Sequence, residues 1–211
     1  MEAVLIKDTA EAKKVIDTGK VPLIVDPDGA SITALKPDVV VDAILAKKNF
    51  GTNRSMAPLT VGLGPGFTAG VDVDIVIETM RGHNLGRIIR EGSAIPNTGI
   101  PGNIGGYTAE RVIHAGAEGI LYNVHKIGDI VEQGEEIAYI ADEKENRRYS
   151  VTATIPGIIR GLIRDGYPAT KGFKIADIDP RKSELSNCFT ISDKARCIAG
   201  SVLEVVCAFG S

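Results

Sequence analysis

The chain has 211 residues, of which 44% are hydrophobic and 24% are charged, and its formal net charge is -3. This composition supports a packed core and argues against intrinsic disorder. The slightly acidic charge and the absence of a dense Lys/Arg stripe argue against nucleic acid or a membrane as a partner. The apolar runs are too short to cross a bilayer and the first residues do not resemble a signal peptide, so we expect a cytoplasmic protein.

The first ninety or so residues alternate between short apolar runs and helical patterns, as in a Rossmann-like α/β domain. Thr9 is placed to cap a helix that ends at Gly19. Largely apolar runs predict buried parallel strands, because helices cover both faces of such sheets. These runs are at 21–25, 39–41, 59–61 and 73–77.

Polar residues and glycines follow three of these strands, and ligands of open α/β sheets bind at that edge. The candidate ligand contacts are Asp42, Lys47, Asn49 and Thr52, then Gly62, Gly64 and Gly66, then Arg81, His83 and Arg87. The backbone amides of the glycine turn can form an anion nest, and the arginines can bind phosphate or carboxylate. A tight structural turn and a salt-bridged turn are the alternatives.

Three titratable residues near the fourth strand leave an acid–base enzyme open as an alternative, with His83 acting with Asp72 or Glu78. The pattern contains no His pair at a metal-binding spacing, so no metal site is predicted. It also contains no activated Ser/His/Asp or Cys/His arrangement. The catalytic residues therefore stay unassigned, and a binding or accessory protein is favoured over a free-standing enzyme.

The segment 93–111 is rich in Gly, Pro and Asn, which predicts a functional loop or a linker. Asn97 and Thr98 in this segment complete the set of candidate ligand contacts. Residues 1–92 before it are predicted to form the α/β ligand-binding part.

An internal repeat follows the loop. Residues 113–140 align with 151–178 at a lag of 38 without a gap, with eight identities in 28 positions. The glycines and apolar residues recur at matching places, so each copy is a β unit that cannot bury its apolar face alone. The repeat predicts a pseudo-twofold β domain over 112–180.

The repeated Gly-Ile and Gly-Asp-Ile-Val-Glu-Gln-Gly pattern resembles the barrel-sandwich hybrid fold of biotinyl and lipoyl carrier domains. The resemblance covers about 113–179, and Lys144 lies on the hairpin that carries the modified lysine in those domains. The Met-Lys-Met of biotin acceptors is absent, so we expect Lys144 to be an unmodified surface lysine. Beyond this domain, 181–211 contains an amphipathic helix with Ser192 as its cap, predicted to pack back on the α/β part.

Several separated motifs resemble the YqeB family, which is associated with selenium-dependent molybdenum hydroxylases. They begin at Val41, Gly62, Glu78, Pro96 and Ile191 and span nearly the whole chain. The resemblance implies a maturation or accessory role. Members of the family begin with a further Gly-rich strand–turn–helix unit, and this chain starts after it, so the α/β part is expected to lack its first unit.

The leading hypothesis is a maturation factor that binds a phosphorylated pterin-type molybdenum cofactor or a nucleotide. The first alternative is a scaffold that docks a hydroxylase subunit and binds no cofactor. Partners implied by the resemblance are a molybdenum hydroxylase subunit or cofactor-maturation proteins, and homo-oligomerisation stays open.

Overall fold

The computed structural model describes residues 1–99, 102–142 and 146–210. The chain forms two compact units, Met1–Asn97 with Asp193–Ser211, and Thr98–Ser192. Both helices and several sheets are present, which confirms the predicted α/β (α+β overall) fold class. No helix among the described residues is long and apolar enough to span a bilayer.

The first unit is built on a mixed four-stranded sheet with the order β3-β4-β6-β7, in which only β7 is antiparallel. Two smaller pairs, β1–β2 and β5–β8, accompany it. The strands are β1 (Ala3–Ile6), β2 (Val21–Ile24), β3 (Val39–Asp42), β4 (Leu59–Leu63), β5 (Thr68–Ala69), β6 (Ile75–Ile77), β7 (Ile88–Ile89) and β8 (Gly92–Ser93). The helices are α1 (Ala12–Ile16), α2 (Ala30–Leu35) and α3 (Asp193–Phe209), with 3₁₀ turns at Thr9–Glu11 and Arg54–Met56.

Two local predictions for the first unit are wrong. Asp8, and not Thr9, caps the first helical segment, because its carboxylate accepts from the Ala10 amide at 2.9 Å and Glu11 completes a capping box. The run at 21–25 is also not a buried strand. Val21 and Leu23 are exposed, so β2 alternates as a strand with one covered face does.

The core of the mixed sheet includes the end of the chain. Every residue of β4 is buried, and β4 and β6 share a cluster with Ile198 and Val205 of α3. The Ser201 hydroxyl donates to the Gly86 carbonyl at 2.6 Å, which fixes α3 against the segment after β6. Helix α3 is therefore part of the first unit, although the second unit precedes it in sequence.

The second unit consists of two four-stranded antiparallel sheets among its described residues, with the orders β13-β12-β10-β15 and β11-β14-β16-β9. Its strands are β9 (Val112–His114), β10 (Gly119–Asn123), β11 (Ile130–Val131), β12 (Glu136–Asp142), β13 (Arg147–Thr152), β14 (Gly157–Leu162), β15 (Tyr167–Ala169) and β16 (Lys174–Asp179). 3₁₀ segments lie at Ala109–Arg111 and Lys182–Phe189. Lys144 lies outside the described residues.

The two copies of the repeat exchange their edge strands. Strands β9 to β12 form the first copy and β13 to β16 the second, and each sheet takes its central strands from one copy and its edges from the other. Equivalent hydrogen bonds join the copies: the Gly128 amide donates to the Ile159 carbonyl at 2.9 Å, and the Gly166 amide donates to the Leu121 carbonyl at 2.8 Å. Neither copy can form a complete sheet by itself.

Equivalent glycines permit the closest strand contacts in both copies. A Cβ atom on Gly119 would meet the Ala141 carbonyl oxygen, and one on Gly157 would meet the Asp179 carbonyl oxygen. These positions are related by the repeat. The shared glycines at this point are therefore required by backbone packing and not by turn formation.

The second sheet is also joined by a charged cluster around Asp179. This carboxylate is almost fully buried and accepts hydrogen bonds from Arg160 at 3.0 Å and from the Arg181 guanidinium at 2.8 Å. Burial raises the pKa of Asp179, but the hydrogen bonds and charges of the two arginines outweigh burial and hold the pKa below its ordinary value.

We expect Gly157→Ala to destabilise the second unit by about 1–3 kcal/mol, because the new methyl group would press on backbone that cannot yield. Gly161→Ala on the same strand is the matched control, since its Cβ would meet nothing closer than Asp177 Cβ at 3.6 Å. Urea unfolding of both variants measures the difference. Equal losses in the two variants would contradict the packing argument.

Asp179→Asn is expected to lower the free energy of unfolding at neutral pH by about 1–3 kcal/mol, because it removes a charged acceptor from two arginines. The stabilisation by Asp179 is present above its unfolded pKa of about 3.9 and is lost as the pH falls through the lower folded pKa. The wild-type advantage should therefore shrink in acid. Exposed Glu118→Gln is the control, and a pH-independent difference for Asp179→Asn would refute the assignment.

Candidate functional site

The loop after β3 is held by its own side chains. The buried Asp42 carboxylate accepts from the Thr52 hydroxyl at 2.6 Å and from the Ile44 amide at 3.1 Å. Asn49 Oδ1 accepts from the Thr52 amide at 2.8 Å, and its Nδ2 donates to the Thr52 carbonyl at 2.8 Å. The structure thus brings Asp42, Asn49 and Thr52 together, and they shape the loop.

Two non-glycine residues of this loop, Leu45 and Lys47, have positive φ values of 58° and 65°. Such backbone is costly for side-chain-bearing residues and persists only where the surroundings impose it. The Lys47 ammonium donates to the Leu45 carbonyl at 2.7 Å. The fold therefore maintains a strained loop beside the carboxyl edge of the sheet.

Glycines allow the loops after β3, β4 and β6 to approach each other closely. A Cβ atom on Gly66 would lie 2.6 Å from Lys48 Cα, and one on Gly64 would lie 2.5 Å from the Thr79 hydroxyl oxygen. Gly62 faces the Phe67 ring in the same way, at 2.5 Å. Gly64 and Gly66 therefore bring neighbouring loops into contact, whereas Gly62 makes room for Phe67 of its own segment.

The predicted anion nest cannot use every amide of the glycine turn. The Gly64 amide donates to the Ile77 carbonyl at 2.8 Å, and Pro65 has no amide hydrogen. The positive charge at this edge comes instead from side chains.

Glu78 follows β6 and is buried. Its two carboxylate oxygens accept from the Met80 and Ile95 amides, each at 2.7 Å. Glu78 thus ties the loop after β6 to the segment after β8. Its hydrogen bonds explain its burial without any catalytic role.

Arg81 forms a bidentate ion pair with Asp193, the first residue of α3, at 2.8 and 3.0 Å. The Arg81 hydrogen bonds hold the pKa of Asp193 far below its ordinary value. The side chains of His83 and Arg87 are exposed. Of the three cationic candidates after β6, the structure therefore places Arg81 against the start of α3.

Lys194 is the residue that sequence reasoning missed. It is half-buried at the start of α3, and none of the described carboxylates lies within ion-pair distance of its ammonium. Burial lowers the pKa of Lys194, and the charges of Arg81 and Lys47 lower it further, while Glu78 opposes the shift. The available signal was its place in the motif beginning at Ile191.

Lys47, Arg81 and Lys194 form what we call the cation cluster. They come from the loop after β3, the loop after β6 and the start of α3. Arg81 contacts Asp193, the residue before Lys194, and the charges of Arg81 and Lys47 lower the pKa of Lys194. The glycine turn after β4 lies between the two loops. The arrangement can bind an anion, since two ammonium groups and a guanidinium supply charge and hydrogen-bond donors.

Other candidate residues lie elsewhere. Asp72 accepts from the Thr68 amide at 2.9 Å before β6 begins, whereas His83 follows β6, so these two are at opposite ends of the strand. Asn97 is the last residue of the first unit and Thr98 the first of the second. Within the described part of the chain, no group of three or more His, Cys, Asp or Glu side chains is arranged to hold a metal ion.

An open groove of about 850 Å³ lies at the other edge of the mixed sheet. Pro37 and Asp38 precede β3 and line it, as do Ala57 and Pro58, which precede β4. Ligands of open α/β sheets bind at the carboxyl edge, where the cation cluster is found. We therefore place the candidate site at the cluster and not in the groove.

The chain is 50% identical over 202 residues to a protein of Escherichia coli (strain K12) described as uncharacterized protein YqeB. The similarity covers 96% of this chain and 36% of that protein, so the chain spans about a third of this relative's length. This supports the YqeB family resemblance. No model of a known protein family matches the chain.

Among solved structures, the chain is similar to a succinylglutamate desuccinylase/aspartoacylase from Rhodobacter sphaeroides, with a TM-score of 0.31, 21% identity, and coverage of 33% of this chain and 22% of that one. It is also similar to the product-bound ectoine utilization protein EutE (DoeB) from Ruegeria pomeroyi, with a TM-score of 0.29, 13% identity, and coverage of 44% and 28%. Likenesses at this level carry no argument about function.

We expect Lys194→Met to raise the melting temperature of the ligand-free protein slightly, because burial and the charges of Arg81 and Lys47 disfavour the ammonium while solvent screens part of this effect. The folded Lys194 pKa is below its unfolded value, so the ammonium costs stability at neutral pH, and this cost disappears as the pH rises toward about 10.4. The gain should therefore shrink in alkali. Lys14→Met removes an exposed lysine as a control, and a lower melting temperature for Lys194→Met would count against the cluster.

Proposed function

We propose, from the relation to YqeB over nearly the whole chain, that the protein is an accessory or maturation protein of a selenium-dependent molybdenum hydroxylase. Its first unit binds a phosphorylated ligand, either a pterin-type cofactor or a nucleotide. The family resemblance supports the hydroxylase role. The cation cluster supports the ligand class.

The observation that carries the ligand proposal is Lys194. Lys194 is a partly buried residue whose pKa is lowered by burial and by the charges of Arg81 and Lys47, and no ion pair joins it to a described carboxylate. Both burial and like charges disfavour a cation. A bound phosphate would offset both costs, since it brings negative charge and hydrogen-bond acceptors to the same place. Such unfavourable electrostatics is typical of functional sites.

Phosphate fits the cluster better than an uncharged ligand does. A guanidinium can bind two phosphate oxygens through its planar fork, and two ammonium groups can approach the remaining oxygens. The glycines at 64 and 66 leave no side chain between the neighbouring loops. The site therefore offers charge from three elements around a turn where backbone approaches closely.

A scaffold function is the second candidate, and one surface of the second unit favours it. Tyr122 and Tyr139 stack with ring centroids 5.2 Å apart, and the Arg148 guanidinium lies 4.2 Å from the Tyr139 ring. These residues lie on neighbouring strands β10, β12 and β13. Tyrosine and arginine are enriched where proteins bind each other, so this face suits a hydroxylase subunit.

We expect a molybdopterin cofactor, a nucleotide or pyrophosphate to raise the melting temperature of the wild-type protein in a saturable manner. Arg81→Gln and Lys194→Met should each weaken binding by about ten- to a hundredfold, the loss for a charged hydrogen bond. Isothermal titration measures both effects, with Lys14→Met as the charge-matched control. If no probe binds, or if Lys14→Met weakens binding as strongly as Lys194→Met, the proposal fails.

Binding of a hydroxylase subunit to site variants would distinguish the ligand-binding function from the scaffold function. Purified hydroxylase subunit should still bind Arg81→Gln but lose binding to Tyr139→Ala if the second unit is the docking face. Loss with Arg81→Gln alone would instead tie the interaction to the ligand site.

A further inference from the structure

We propose that the Asp193 carboxylate is an internal competitor for the ligand's phosphate at Arg81, and that binding exchanges this ion pair for a guanidinium–phosphate pair. This inference rests on the proposed function, because it concerns the occupancy of the same site. It assigns to Asp193 control over affinity and over the charge of the ligand that can bind.

The geometry of the pair carries the inference. Arg81 presents two nitrogens to two oxygens of Asp193, at 2.8 and 3.0 Å. Guanidinium groups bind carboxylate and phosphate through the same planar fork. In the ligand-free protein, Asp193 thus occupies donors that a phosphate would use.

The pair is suited to exchange because it is exposed. The Arg81 and Asp193 side chains are 56% and 71% accessible, and ion pairs at such positions contribute little to stability. Opening the pair also gives up the hydrogen bond that the Asp193 carboxylate accepts from the Lys194 amide. A phosphate at Arg81 would replace the two guanidinium contacts.

Asp193 also sets a charge threshold. It is one residue before Lys194, so its negative charge reduces the attraction of the cluster for any anion. A monoanionic carboxylate offers Arg81 nothing that Asp193 does not already provide. A phosphate monoester or a diphosphate carries more charge and can displace it. The site therefore selects multiply charged phosphates.

The test is a titration of Asp193→Asn with pyrophosphate, compared with the wild type and with Asp17→Asn. Asp17 is an exposed aspartate paired with Lys13 in the first unit, so its variant makes the same change of net charge. We expect pyrophosphate to bind Asp193→Asn about two- to fivefold more tightly than wild type, and Asp17→Asn to bind as wild type does. Melting temperatures confirm that the variants are folded.

A double-mutant cycle distinguishes competition at Arg81 from a general field effect. In an Arg81→Gln background, the gain from Asp193→Asn should be clearly smaller than in the wild-type background, because the competed group is absent and only the effect of the Asp193 charge remains. If the full gain persists there, or if wild type binds and Asp193→Asn binds no better, the competitor role is wrong while the ligand site stands. If neither wild type nor Asp193→Asn binds pyrophosphate, the proposed function fails as well.

Discussion

Ile198 and Val205 of α3 pack against β4 and β6, and this apolar contact determines which residues reach the carboxyl edge of the sheet. Burial of each such side chain contributes about 1.5–3 kcal/mol, far more than the exposed ion pair at the helix start. Apolar packing therefore positions α3, and the charged groups at its beginning follow. Lys194 lies among other cations because the core holds its helix there.

The organisation of the chain has a consequence for this site. The chain leaves the first unit at Asn97 and returns to it at Asp193, after the complete second unit. One member of the cation cluster is thus separated by more than a hundred residues from the other two. The loops of the sheet supply only Lys47 and Arg81, and Lys194 comes from α3. The cation cluster is therefore complete only when α3 has packed onto the sheet.

Sequence reasoning was most successful where one physical rule dominates. The repeat at a lag of 38 residues revealed the duplicated β domain because both copies pack in the same way. In each copy a glycine, Gly119 or Gly157, lies against a backbone carbonyl. The buried runs of β4 and β6 were found for a similar reason. The exposure of β2 could not be read in this way, because an apolar run looks the same whether one or both of its faces are covered.

The candidate site was only partly predictable. The rule that ligands bind at the carboxyl edge directed attention to the loops that hold Lys47 and Arg81, and it stays a prediction that these residues contact a ligand. The rule did not indicate that Asp42, Asn49 and Thr52 shape their loop by hydrogen bonding to one another. Lys194 was missed since its neighbours are distant in sequence, and a lysine at a helix start otherwise suggests only a solvated charge.

A purely structural origin of the cation cluster would require compensation that the described residues do not provide. Glu78 is the negative group that favours the Lys194 cation, but its oxygens already accept from two backbone amides. Asp193 is engaged by Arg81. If position 194 served only folding, an uncharged side chain there would make the protein more stable than a lysine does. An anionic ligand would instead interact favourably with the charge of the lysine. The proposed ligand site would account for the unfavourable environment of Lys194.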